Sequence, residues 1–488
     1  MKPGDAGKVL AYSPMLHARL MKEDAKYRNK KFQPTKIGLQ DVPEFGEEYE
    51  ERLDGRRDVD RPLTVQFCAN DPDVLLQAAR YVQPYCDAVD LNLGCPQGIA
   101  KSGHYGAFLQ EDQDLVFRLI RTLYDGLKVP VTAKIRILET KEKTLAYATR
   151  VLEAGASILT VHGRQRHQKG HETGLADWSM IRYLRDNLPA ETVLFANGNI
   201  LRHEDIAKCL EATGADAVMS AEGNLYDPTI FGPHPPDQIN DREYFQGRDG
   251  RGGYRMDFVF RRYMSLIYKY VLETPEPERQ PLFSLSDPHD EMGKRGREDT
   301  TTPPPEKRQK LDITKKKEKT KDKTKKVIDP NLGAMQPHLF HMLRPLVSVH
   351  IEVRDALARS NSGNIDGYEE VLRLTEAAVK QGILEYEADP GKFEDSEPVA
   401  DEDTAPDDTE SSIRTARLCK RPWFVCQSYI RPLPKEAIEK GSLSVSKKEL
   451  KKRGMERESK TIQPSSVVVD GSIDLKKEQV PSSAAVYG

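Results

Sequence analysis

A chain of 488 residues with 74 Lys and Arg against 77 Asp and Glu is long enough for two or three domains, and its formal charge of -3 makes any affinity for nucleic acid a matter of where the charge lies. It has no apolar run of the roughly eighteen residues a membrane helix needs, and the opening MKPGDAGKVLAYSPML lacks the regions of a signal peptide, so a soluble intracellular protein without a membrane partner is expected. Six cysteines without a CxxC pair argue against a disulfide framework and against a zinc site of standard spacing, so no metal is expected.

Strand-like and helical runs alternate through the first half, which is the signature of an α/β chain with a parallel sheet built from βα units. The pattern predicts strands over 10–16, 63–69, 88–94, 131–137, 158–162, 193–197 and 217–221. Apolar residues at helical spacing predict helices over 74–85, 114–124, 143–154, 178–187 and 204–211, with Asp71-Pro72 and Thr140-Lys141 as start signals. Seven strands are one short of a closed TIM (β/α)8 barrel, and only about ten residues precede the first, too few for another strand and helix. The expectation is therefore a barrel over 1–235 whose first strand is missing, leaving edges that natural proteins avoid.

Within the barrel, the strand over 88–94 breaks at Gly94-Cys95-Pro96, which places the Cys95 thiol just past a strand's C-terminal end, ahead of a loop rich in Gly, Ser and His. A cysteine there is either a small core residue or a reacting group. Cys68, Cys86 and Cys209 lie in apolar contexts and read as core thiols, while Cys419 and Cys426 flank Trp423 without the further ligands a metal would need. Lys134 and His162 stand at strand ends facing the same mouth, and Gln66 at the end of an earlier strand. Asn197-Gly198-Asn199 and Ala221-Glu222-Gly223 follow the last strands, where such barrels often hold a phosphate on backbone N–H groups; an ordinary turn is the alternative. No GxGxxG or Walker sequence stands between a strand and a helix, which disfavours a Rossmann site and nucleoside triphosphate hydrolysis.

After a Pro- and Gly-rich passage the chain turns helical over 236–274 and 331–385, with helices predicted at 254–272, 336–346, 349–358 and 367–381. Between these parts lies a low-complexity linker over 275–330, in which 294–326 holds fourteen Lys and Arg against six Asp and Glu. The tail over 386–488 reads as mostly disordered: 394–410 has nine acids and no base, and 417–434 is a short aromatic and basic exception.

The segment NLGCP followed by KSGHYGAFL strongly resembles the active-site segment of the flavin-dependent tRNA dihydrouridine synthases. AKIR at 133–136, TVHGRQR at 160–166, and NGNI with SAEG across 197–223 match the same family in the same order. The QKGHETGLADW continuation at 168–178 looks most like the eukaryotic branch acting on uridines sixteen and seventeen of the tRNA D loop. The resemblance implies a catalytic barrel with FMN as cofactor, NADPH or NADH as reductant and tRNA as partner. It makes Cys95 the donor of a proton to C5 of uracil while hydride reaches C6; spacing alone would equally allow a nucleophile. A thiol is mostly protonated at neutral pH and can serve as an acid.

The same resemblance implies flavin contacts for Gln66, Asn92, Lys134 and His162, and a flavin phosphate near Asn197, Gly198, Asn199, Ala221, Glu222 and Gly223. Arg136, Arg164 and Arg166 are expected around the mouth, within reach of tRNA phosphates, with His104 and Tyr105 on a loop closing over a flipped uridine. A second RNA surface is expected on the helical domain, at Arg255, Arg261, Arg262, Tyr263, Lys269, His338 and Arg344. The basic stretch at 294–310 resembles a bipartite nuclear signal, so the expected location is cytoplasmic, nuclear or both, and a monomer is expected. In the family an earlier strand precedes the segment matching AYSPMLHARL. The alternatives are a tRNA-binding relative impaired by the missing strand, and a different FMN-dependent oxidoreductase acting on a small molecule.

Overall fold

The computed structural model describes residues 9–35, 39, 53–170, 173–236, 238–287, 330–394 and 412–432. The barrel portion is one parallel sheet. Its strands are β1 (Ala11–Tyr12), β2 (Leu16–His17), β3 (Leu63–Cys68), β4 (Ala88–Leu93), β5 (Val131–Arg136), β6 (Ile158–His162), β7 (Val193–Asn197) and β8 (Ala217–Met219). Helices α1 (Ala18–Glu23) and α2 (Ala25–Lys31) follow β2. Then α3 (Pro72–Val82), α4 (Gly98–Ser102), α5 (Gln113–Gly126), α6 (Lys141–Glu153), α7 (Trp178–Asn187), α8 (Glu204–Thr213) and α9 (Glu222–Tyr226) alternate with the strands.

From β3 to β8 the strands pair in sequence order without a reversal. Right-handed crossovers then set the helices on a single face, and the other face can be buried only by the sheet's own curvature, as in a (β/α)8 barrel. Every residue of β3 and β4 is buried, so both faces are covered. The helices start where the sequence predicts: the Asp71 side chain accepts from the Val74 N–H with Pro72 in the first turn, and Thr140 caps α6 in the same way.

The strand expected over 10–16 is corrected. It is broken at Ser13–Met15 into β1, which pairs with Leu63 and Thr64, and β2, which pairs with Phe67 and Cys68 at the other end of β3. Both therefore fill one position in the sheet. Among the described residues no ladder joins β8 to β1, so these remain its edges.

A hairpin, β9 (Tyr244–Gln246) and β10 (Gly252–Tyr254), leads into the helical portion. There α10 (Met256–Leu266) continues as a π-helical stretch, Ile267–Leu272, and packs with α11 (Pro330–Met342), α12 (Arg344–Val349), α13 (Ile351–Arg359) and α14 (Ile365–Ala388). The linker and tail boundaries are corrected by packing. Residues 275–287 belong to the fold, with Leu282 and Ser284 buried and Arg279 paired to Glu369 at 2.7 Å. Helix α14 runs past 385, and Phe393 reaches the same core.

After α15 (Ser412–Cys419), the aromatic and basic stretch inserts Phe424, Val425 and Cys426 into the helical core. Its backbone is held there by Met256 N–H to Phe424 O at 3.0 Å and Cys426 N–H to Tyr254 O at 2.9 Å. Gly382 of α14 makes room: a Cβ there would meet Phe424 Cδ1 at 2.5 Å. The stretch at 294–310 and most of the acidic run lie outside the described residues.

Candidate active site

The parallel register gathers the predicted polar side chains at the C-terminal ends of the strands. Asn92 stands beside Lys134, Arg136 beside His162, and His162 beside Asn197. Cys95 follows β4 directly. Asn92 Oδ1 accepts the backbone N–H groups of Gly94 at 3.1 Å and Cys95 at 2.9 Å. The loop then folds back, with Ala107 N–H donating to Cys95 O at 3.1 Å. Gly106 permits this approach with φ +65°; a Cβ there would meet Cys95 O at 2.8 Å. Cys95 is half-buried, whereas the five other cysteines are buried.

Three cations share the mouth, and removal from water lowers each. The Lys134 ammonium is pushed down to about 8, by burial first and then by the Arg136 guanidinium, with Asp90 and Cys95 opposing. Arg136 and Arg164 are pushed down to about 10, again chiefly by burial. Lys134 has no hydrogen-bond or ion-pair partner among the described residues. His162 is held neutral, well below its usual range, by burial and then by Lys134, Arg136 and Arg164. Its Nε2 faces Arg164 Nη1 at 3.1 Å. A guanidinium only donates, so Nε2 accepts and Nδ1 carries the proton, and that N–H is buried without a partner. An unpartnered ammonium and an orphaned imidazole N–H suit the acceptor-rich edge of a flavin ring.

The phosphate side is narrower than the sequence suggests. The Asn197 amide donates to Met219 O at 2.8 Å, Asn199 Oδ1 accepts from Arg164 Nη2 at 2.6 Å, and the Glu222 carboxylate pairs with Arg431 at 2.9 Å. Only the backbone is left to offer. The N–H groups of Gly198, Asn199 and Ala221 make no hydrogen bond among the described residues, and a phosphate would take them. Gly223, the second residue of α9, follows beside them.

Several expectations change. Arg136 is not a rim residue open to phosphate: it is buried, donating to Gly94 O at 2.8 Å, Gln165 O at 3.0 Å and Gln168 O at 3.2 Å, and so binds the Cys95 loop to the loop after β6. Arg164 is likewise turned inward, onto Gly174 O at 2.8 Å. Arg166 pairs with Glu111 at 2.6 Å and lies over the Phe108 ring. Tyr105 is buried with Cys68 and Ala100 in a small cluster against which Cys95 packs, and so forms a floor for the thiol. His104 is exposed, with φ 53°.

On the helical domain, Arg255 is corrected as well: it is fully buried in a pair with Asp257 at 2.6 Å. Arg261 is tied to Glu376 at 2.5 Å, and Tyr263 is partly buried against the core. Arg262, Lys269 and His338 are exposed, and Arg344 stacks over Tyr429 at 3.9 Å. Asp90, Thr132 and Lys169, whose Nζ donates to Pro96 O at 2.9 Å, escaped the sequence reading. For Asp90 a signal existed: Asp90 and Asn92 alternate on one face of an otherwise apolar strand. No group of His, Cys, Asp and Glu arranged to hold a metal occurs among the described residues, and no described helix is long and apolar enough to cross a membrane.

The sequence profile of the dihydrouridine synthases matches residues 5–273, across the barrel and into the helical portion. The chain belongs to the dihydrouridine synthase family. It is 41% identical over 432 residues to the tRNA-dihydrouridine(16/17) synthase of Saccharomyces cerevisiae, covering 88% of this chain and 79% of that protein. To the protein of the same name in Schizosaccharomyces pombe it is 38% identical over 436 residues, covering 89% and 85%. A mouse tRNA-dihydrouridine(16/17) synthase-like protein is 47% identical over 230 residues, 47% of this chain and 44% of its own length. All three names carry NAD(P)(+) as the nicotinamide partner. In this dihydrouridine synthase the matched region includes Cys95, Lys134, His162 and both glycine-containing turns.

Proposed function

We propose that this chain is an FMN-dependent tRNA-dihydrouridine synthase that reduces uridines 16 and 17 of the D loop with NADPH or NADH. What supports the reading is a coincidence at one end of one sheet: the only partly exposed thiol, an unpartnered ammonium and a neutral imidazole with an orphaned N–H. FMN, when bound and reduced, supplies the hydride that reaches C6 of uracil. Cys95 gives its proton to C5 as the double bond is consumed, and the thiolate left behind regains a proton from solvent. Lys134 and the His162 Nδ1–H would hold the acceptor edge of the ring, and the backbone N–H groups at Gly198, Asn199 and Ala221 the phosphate. Arg136 and Lys169 keep the two loops around the thiol in place. Of the basic residues expected to meet tRNA on the helical domain, Arg262, Lys269 and Arg344 are exposed and would be open to its phosphates.

The test is the flavin absorbance of purified protein before and after NADPH without oxygen, followed by mapping of dihydrouridine in unmodified tRNA. The expected outcome is a band that bleaches and product at positions 16 and 17. A bleaching band with no product in any tRNA would favour an oxidoreductase acting on a small molecule. That no ladder joins β1 to β8 among the described residues favours a second reading, an RNA-binding relative without a working barrel, and absence of flavin after FMN is added would support it.

Lys134 makes the cofactor site sensitive to pH. Its ammonium is present below about 8 and lost above, so FMN affinity should fall as pH rises from about 7.5 to 9.5 and approach that of Lys134→Met. Fluorescence quenching titrations at each pH check this, and a flat profile would remove Lys134 from the ring edge.

A further inference from the structure

One acidic side chain in the barrel interior has no part in this chemistry. Asp90, in the middle of β4, is fully buried. Its Oδ1 accepts from the Thr132 hydroxyl at 2.6 Å and its Oδ2 from Gln66 Nε2 at 2.8 Å. Gln66 Oε1 accepts from Asn92 Nδ2 at 2.8 Å, and Asn92 Oδ1 accepts from the N–H groups of Gly94 and Cys95.

Each link has a direction. The two ends of an amide are nearly alike in shape, so packing cannot choose between an amide and its flipped form; hydrogen bonding must. Burial pushes the Asp90 carboxyl up, while the bonds from Thr132 and Gln66 and the nearby Lys134 ammonium favour its charged form, and a carboxylate only accepts. It turns the Gln66 N–H toward itself and the Gln66 carbonyl toward Asn92, and this leaves the Asn92 carbonyl facing the Cys95 loop. Reversing either amide would set N–H against N–H in a buried place and strand a donor. The strand register brings the chain together, since Gln66 stands opposite Asp90 and Asp90 opposite Thr132.

We propose that Asp90 is a positioning residue for the Cys95 thiol: it sets the polarity of the Gln66–Asn92 amide chain and through it anchors the Gly94–Cys95 turn. For turnover this rests on Cys95 being the proton donor; the anchoring itself does not.

Because Cys95 is the one partly exposed cysteine of the six, its alkylation by iodoacetamide in the folded, flavin-loaded protein can be followed by peptide mass spectrometry. Asp90→Ala and Asn92→Ala are each expected to raise the Cys95 rate severalfold. The double variant should be no faster than either, because both cut one chain. The kcat for uridine reduction should fall about tenfold or more with KM little changed, the size expected when a buried donor loses its acceptor. Asp90→Asn keeps an acceptor oxygen for Gln66 and should retain most of both properties. If Asp90→Ala does not fold, Gln66→Leu cuts the chain while leaving the Asp90–Thr132 bond intact, and its alkylation rate is read in the same way. An unaltered alkylation rate in the cut variants, or additive effects in the double variant, would overturn the proposal. The expected alkylation pattern in a protein that reduces no uridine would uphold the anchoring and sink the reading of Cys95 as an acid.

Discussion

Cys95→Ala is expected to keep its flavin and lose uridine reduction by about a hundred- to ten-thousandfold, the usual contribution of a positioned general acid. The reason is local. The thiol sits at the strand end where the backbone is anchored by Asn92, above the Tyr105 floor and beside a loop pinned by Arg136 and Lys169, and alanine preserves all of these contacts. Only the thiol, and with it the proton, is removed. Bleaching of the flavin by NADPH should proceed as before, since that step needs no acid at uracil C5. Single-turnover quantification of dihydrouridine with pre-reduced enzyme separates the two steps, and undiminished product would take the acid role away from Cys95.

Asp257→Ala is expected to cost about 3–5 kcal/mol of stability, because it strands a buried guanidinium. Arg255 and Asp257 have side chains 1% exposed and meet through paired contacts at 3.1 and 2.6 Å. Arg255 also donates to the carbonyls of Asp241 at 2.8 Å and Phe283 at 2.7 Å, so it fastens the chain before the hairpin and the 282–284 turn to the start of α10. Replacing the pair by Met and Leu should cost less than the single change, because no charge is then left buried, although those carbonyls lose their donor. Urea denaturation of the whole protein compares the three. A single variant as stable as the parent would show that the charge finds water.

The barrel was legible from the sequence because strands buried on both faces and capped amphipathic helices are local patterns: the Asp71 and Thr140 caps and the helix at Trp178–Asn187 stand where spacing put them. The mouth was legible too, since side chains at the ends of parallel strands must converge, and Cys95, Asn92, Lys134 and His162 do. What each polar group does there depends on residues far along the chain. Arg136 looks like a free surface arginine until the carbonyls of Gly94, Gln165 and Gln168 surround it, and Arg255 looks like an RNA contact until Asp257 and the 282–284 turn enclose it. Tyr105 reads as part of a glycine-rich loop and becomes a buried floor. The aromatic and basic stretch that stood out from the polar tail supplies Phe424 and Val425 to a core that also holds α10, more than a hundred residues earlier, and α14, some forty residues before it.

The sequence by itself therefore determined the alternation of strands and helices and the end of the sheet where the polar side chains gather, because periodicity and capping are written within a few neighbours. Only the tertiary structure decided which cations are spent on carbonyls and carboxylates, which N–H groups are left unpartnered, and that a buried Asp90 orders the amides behind Cys95. A hydrogen bond needs both partners placed to within a few tenths of an ångström, and that placement is set by packing across the whole barrel.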